Sequence, residues 1–191
     1  MIKKLSTIFI NYICENNYSN TEKEEMNYIL ITFIFEFLKA ITLLLLFSYF
    51  GYLKETLLII FMFFSIKPFI GGYHEDTQVA CFFISSLEIS IILFLSFNNI
   101  INFYSNIILL LISLFSIYHQ APIINPRMPI VKEKIIKKNR IIGLSSSTLF
   151  SIISILIYNI DNNYSKIITW TLILMSQLMF NKRNPNKKTR Q

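Results

Sequence analysis

Charge, glycine, proline and cysteine are all scarce in this chain, and each scarcity removes a class of protein. Charged residues make up 15% of its 191 positions, against about 25% in soluble domains. With 4 Gly and 5 Pro, collagen-like and Pro/Gly-rich disordered classes are excluded. Two Cys cannot build a disulfide framework. His74 and Cys81 have no two further soft ligands beside them, so neither a metal nor another cofactor is expected. What the chain does have is apolar bulk: 53% hydrophobic residues, 18 of them Phe, and a mean hydropathy of +0.52. A compact soluble fold of this size could not hide so much Ile, Leu and Phe. The composition is that of an integral membrane protein with several spans.

Six apolar segments, at about 28–50, 53–66, 78–97, 100–118, 141–160 and 164–180, predict an all-α polytopic protein with about six transmembrane helices. The second is the shortest and carries Lys54 and Glu55. Ahead of them, Ile2, Leu5, Ile8, Phe9, Tyr12 and Ile13 recur at helical spacing with polar residues between. That pattern reads as an amphipathic interfacial helix over 1–14 and not as a cleavable signal. One membrane domain is expected over 1–191. Residues 1–27 form its cytoplasmic helix and linker, 28–180 its six-helix region, and 181–191 its basic cytoplasmic tail.

The 18 Lys and Arg exceed the 11 Asp and Glu, but they sit between and after apolar runs, not among aromatic stacking positions. That excludes a nucleic-acid surface and turns attention to topology, because cytoplasmic loops carry the basic excess. Six spans with both termini inside put fifteen of the eighteen basic residues on the cytoplasmic side. The densest groups are Arg127–Arg140 and Lys182–Arg190, and both also suit anionic membrane lipids.

Between the second and third segments runs Lys67-Pro-Phe-Ile-Gly-Gly-Tyr-His-Glu-Asp-Thr-Gln-Val-Ala-Cys81, which this topology puts at the cytoplasmic face. It holds one of the two His, one of the two Cys and the single Gly-Gly pair. A catalytic cysteine acts as a thiolate, and a nearby imidazole generates it by accepting the proton. Asp76 or Thr77 can cap the third span, which sets Cys81 in its first turns, where the helix dipole favours negative charge. On one continuous helix His74 and Cys81 would stand about 10 Å apart, too far for a catalytic contact. His74 must therefore come from a loop folded back over the helix start, and Gly71 and Gly72 give that loop its freedom. The bland alternative is a small core cysteine beside an interfacial histidine.

Two runs of residues resemble a known family. Lys67-x3-Gly71-Gly72-Tyr73-His74-x6-Cys81 is similar to the active-site signature of the AgrB family, the membrane peptidases of accessory gene regulator quorum sensing. Ala121-Pro122, Pro126, Met128-Pro129-Ile130 and the lysine-rich run behind them resemble that family's basic cytoplasmic loop. The resemblance implies Cys81 as nucleophile and His74 as general base. It also implies an AgrD-type propeptide cut on its C-terminal side through a thioester, then closed to a thiolactone or lactone, and a homodimer in the bacterial plasma membrane. Lys67 stands where many members have arginine, which keeps the charge but loses the planar fork. Lys132, Lys134, Lys137 and Lys138 are candidate contacts for an acidic substrate tail.

Glu88 lies seven residues after Cys81, on the same helix face, and ionisable groups inside a membrane are costly enough to need a reason. Pairing with Lys39 or Glu36 on the first span is the structural reason expected. A non-enzymatic transporter or channel component, lined by Glu36, Lys39 and Glu88, is the alternative from another class. His119 reads as an interfacial residue.

Overall fold

A computed structural model describes residues 20–71, 77–98, 101–123 and 133–180. The expected amphipathic helix over 1–14 and the basic tail over 181–191 lie outside them. Among the described residues there are six helices and no strand: α1 (Asn20–Tyr49), α2 (Leu53–Ile70), α3 (Gln78–Asn98), α4 (Phe103–Gln120), α5 (Glu133–Ile157) and α6 (Asn162–Leu178). The all-α expectation holds, and each helix covers one of the six apolar segments.

The span count needs correcting. Four helices are long and apolar enough to cross a membrane: α1 over Ile29–Tyr49, α3, α4 and α5. α2 has 18 residues but carries Lys54, Glu55 and Lys67, and α6 has only 17. At 1.5 Å per residue they reach about 25–27 Å, short of a hydrocarbon core of about 30 Å.

The chain divides into two compact units, 1–51 and 52–191. In the first, α1 shows apolar side chains such as Phe33 and Leu45 outward. Its Glu36 and Lys39 form an ion pair of 2.6 Å one turn apart.

In the second unit α6 is the central helix, packed against α2, α3, α4 and α5. Ten of its residues are buried, Ser165, Lys166, Thr169, Thr171 and Ser176 among them. Its polar side chains therefore point into protein. Asn106 of α4, Ser154 of α5, and Ser165 and Thr169 of α6 are fully buried together. Thr169 Oγ1 donates to Asn106 Oδ1 at 2.7 Å, and the Asn106 amide donates to Ser165 Oγ at 3.2 Å and Ser154 Oγ at 3.4 Å. The two serines exchange bonds with each other's backbone carbonyls, Ser165 Oγ to Ser154 O at 2.8 Å and Ser154 Oγ to Ser165 O at 3.0 Å. Small hydroxyl residues let backbones approach closely and hydrogen-bond between helices, the mode of packing available where lipid removes the hydrophobic drive.

The main apolar cluster lies towards the other end of α6, where Ile168, Leu172, Met175 and Met179 meet Met62, Ile66 and Ile70 of α2, Leu110 and Ile117 of α4, and Phe150 of α5. α3 contributes nothing to it. Around the outside, Phe61, Phe83, Phe94, Leu111 and Phe115 are exposed. An apolar surface this extensive is what a lipid-facing bundle presents.

Candidate active site

The segment singled out by sequence begins at the last turn of α2. Pro68 sits inside that turn, and the helix stops at Gly71, whose N–H donates to the Lys67 carbonyl at 3.0 Å. Gly71 has φ +73°, a conformation that L side chains rarely adopt. A Cβ there would also collide with the backbone carbonyl oxygen of Ile123. The contact arises because the strand-like segment after α4 docks on the end of α2, the Ile123 N–H donating to the Ile70 carbonyl at 2.9 Å. Ala121, which closes α4, is buried in the same place. Gly143 of α5 completes the junction, since a Cβ on it would stand 2.6 Å from Ile70 Cγ2. The Ala121-Pro122 element and the Gly71 turn, 50 residues apart in sequence, are thus parts of one joint.

Thr77 immediately precedes α3. Its Oγ1 accepts from the Ala80 N–H at 3.2 Å, and its carbonyl accepts from the Cys81 N–H at 3.0 Å. Of the two candidate caps, Thr77 makes this capping bond, and Asp76 lies outside the described residues. Cys81 is half-buried in the first turn. Its own N–H is already committed to Thr77, so the first-turn amides that helix geometry leaves without an intrahelical acceptor are those nearer the start, at Gln78 and Val79. His74 and Gly72 lie outside the described residues.

Lys67 and Glu88 do come together. Lys67 Nζ lies 2.8 Å from Glu88 Oε2, with the lysine side chain 27% and the glutamate side chain 12% exposed. The ammonium also sits 4.1 Å from the centre of the Phe63 ring, a cation–π contact. The partner of Glu88 is therefore Lys67, in place of the Lys39 or Glu36 expected from sequence. Helical spacing says which residues share a face but not which neighbouring helix answers them.

At the start of α5, Lys134, Lys137 and Lys138 are exposed, and Lys132 lies outside the described residues. Arg140, which the sequence offered only as one basic residue among several, has a fixed task. Its Nη2 donates to the Tyr118 carbonyl at 3.0 Å and its guanidinium stacks 5.0 Å from the Tyr118 ring, closing the end of α4. His119 is exposed and leans on Phe115 at 4.3 Å between ring centres, as an interfacial residue would. Among the described residues no three His, Cys, Asp or Glu gather into a metal-binding group.

The model of the family described as Accessory gene regulator B matches residues 6–179. This chain belongs to the AgrB family. It is also 45% identical over 161 residues to the AgrB-like protein 1 of Clostridium perfringens (strain 13 / Type A), covering 83% of this chain and 84% of that protein. No solved structure matches it. AgrB membership ties the chain to accessory gene regulator quorum sensing and to an AgrD-type propeptide partner, and its apolar helices make it membrane-embedded.

Proposed function

We propose that this protein is a membrane cysteine endopeptidase that cuts an AgrD-type propeptide and promotes its cyclisation. The observation that carries the reading is Cys81, a half-buried thiol in the first turn of α3, which follows in sequence the Gly71 turn and the segment that holds His74. His74 takes the Cys81 proton, and the thiolate attacks the scissile carbonyl carbon. As the C–N bond breaks, the imidazolium returns its proton to the leaving amine, leaving the N-terminal part of the substrate as a thioester on Cys81. An internal Cys or Ser of the substrate then attacks that carbonyl. The acyl group moves to it, its proton returns by way of His74 to the Cys81 sulfur, and a ring is released.

Both termini face the cytoplasm in our reading: four spans are an even number, so the chain ends on the side where it began and the basic residues of its two ends share that side. The exposed Lys134, Lys137 and Lys138, with Lys132, meet an acidic substrate tail. The transport alternative needs charged groups along a path. Pairing of Glu88 with Lys67 and of Glu36 with Lys39 supports a structural use for them instead.

Co-expression with an AgrD-type propeptide, followed by mass spectrometry, tests the mechanism. Cys81→Ala and His74→Ala should each abolish release of the C-terminal fragment at unchanged membrane abundance. Cleavage that survives Cys81→Ala would overturn it.

A further inference from the structure

The two helices that flank the segment holding His74 are poorly joined to one another. α2 packs on α5 and α6, α3 packs mainly on α6, and α2 and α3 touch little although they follow each other in the chain. The main apolar cluster takes Met62, Ile66 and Ile70 from α2 and no residue from α3. Among the described residues, two side-chain ties between them stand out. Far from the segment the rings of Tyr52, which precedes α2, and Phe97 lie 5.5 Å apart. Nearer to it, Lys67 in the last turn of α2 pairs with Glu88 in the middle of α3.

Its placement matters more than its strength. Lys67 also supplies the carbonyl that receives the Gly71 N–H, so one residue closes the α2 terminus with its backbone and holds α3 with its side chain. Glu88 stands on the Cys81 face of α3, about 10 Å further along the axis. The ion pair therefore fixes how far α3 slides or turns against the Gly71 joint, and with it the position of Cys81 relative to whatever leaves that joint. The ammonium is held on one side by Phe63 and on the other by a carboxylate only 12% exposed. A charge so placed keeps its partner, since separating a sheltered pair leaves an uncompensated charge.

We infer that Glu88 is a positioning residue: through Lys67 it sets the register of α3, and with it of Cys81, against the end of α2. What that register does for the thiol rests on the Cys–His reading above, and the register itself does not.

Two readouts separate them. Spin labels at the exposed positions Phe64 and Phe83, in a Cys14→Ser/Cys81→Ser background, report the α2–α3 distance. Glu88→Gln should broaden or shift a narrow distribution, and the exchange Lys67→Glu/Glu88→Lys should restore it. Iodoacetamide alkylation at pH 7 in a Cys14→Ser background reports Cys81 alone. There Glu88→Gln should slow the reaction roughly tenfold, to the rate of His74→Ala, with the exchange again restoring it. An unchanged distance distribution in Glu88→Gln overturns the inference. A changed distribution with His74→Ala alkylating at the unmodified rate keeps the register and removes the Cys–His reading. If Glu88→Gln fails to accumulate, Lys67→Met/Glu88→Leu removes both charges at once, a replacement that buried pairs commonly tolerate, and a wild-type distance distribution in that variant overturns the inference equally.

Discussion

Gly51 and Gly71 both have positive φ, +85° and +73°, yet their surroundings set them apart. Around Gly51 a Cβ would meet nothing within 4 Å, whereas at Gly71 it would meet the Ile123 carbonyl, which is backbone and cannot swing aside. Gly51→Ala should cost only the left-handed backbone penalty, about 1–2 kcal/mol, and leave peptide processing intact. Gly71→Ala should add a displaced 121–123 segment to that penalty and abolish processing. Thermal unfolding in detergent, run beside the mass-spectrometric assay, reads both. Gly143→Ala presses instead on an Ile70 methyl 2.6 Å away, and an overpacked contact of that kind costs about 1–3 kcal/mol. Of these three glycines the sequence marked only Gly71, through its Gly-Gly pair and the family signature. Gly143 carries no such mark, and its packing against Ile70 is visible only in the fold.

At the scale of helices, the bundle uses hydroxyls in two ways. Ser65, Ser90, Ser113 and Thr148 donate to the carbonyl four residues back and so pass through an apolar stretch with their own helix as partner. Ser154, Ser165 and Thr169 donate or accept between helices and need Asn106 to complete the set. Asn106→Leu should therefore destabilise the α4–α5–α6 contact by about 1–2 kcal/mol, whereas Ser90→Ala should be nearly silent. Detergent unfolding of the two variants makes the comparison, and equal losses would show that the interhelical network contributes nothing. The helices themselves were legible because long apolar runs admit few structures, and every one of the six appeared. Their roles were not. In sequence α6 is one apolar segment among six, while in the fold it is the most enclosed helix. Charge in α2 makes it the weakest of the six, while Lys67 is answered by Glu88 from α3. Pairing between helices is a property of the bundle, and periodicity carries no record of it.

For the whole molecule, charge is sorted sharply. Lys134, Lys137 and Lys138 stand exposed on α5, whereas Arg140 two residues further on is already used by Tyr118. If the first three hold an acidic substrate tail, Lys137→Glu/Lys138→Glu should raise the propeptide concentration needed for half-maximal processing, and raised salt should weaken the unmodified protein in the same direction. Turnover of the bound peptide should change little. A product yield indifferent to both would remove the lysines from the substrate path. The enclosure of α6 has a consequence of another kind, for how the protein is made. α6 follows α2, α3, α4 and α5 in the chain, so the ribosome delivers it after all four partners that surround it. Until then Asn106 and Ser154 wait in the bilayer without the hydroxyls of Ser165 and Thr169, and the apolar cluster lacks its centre. Assembly is therefore a closing step and not a gradual accretion, and a nascent protein that stalls before α6 presents to the cell's quality control a set of inserted helices with their polar faces still open.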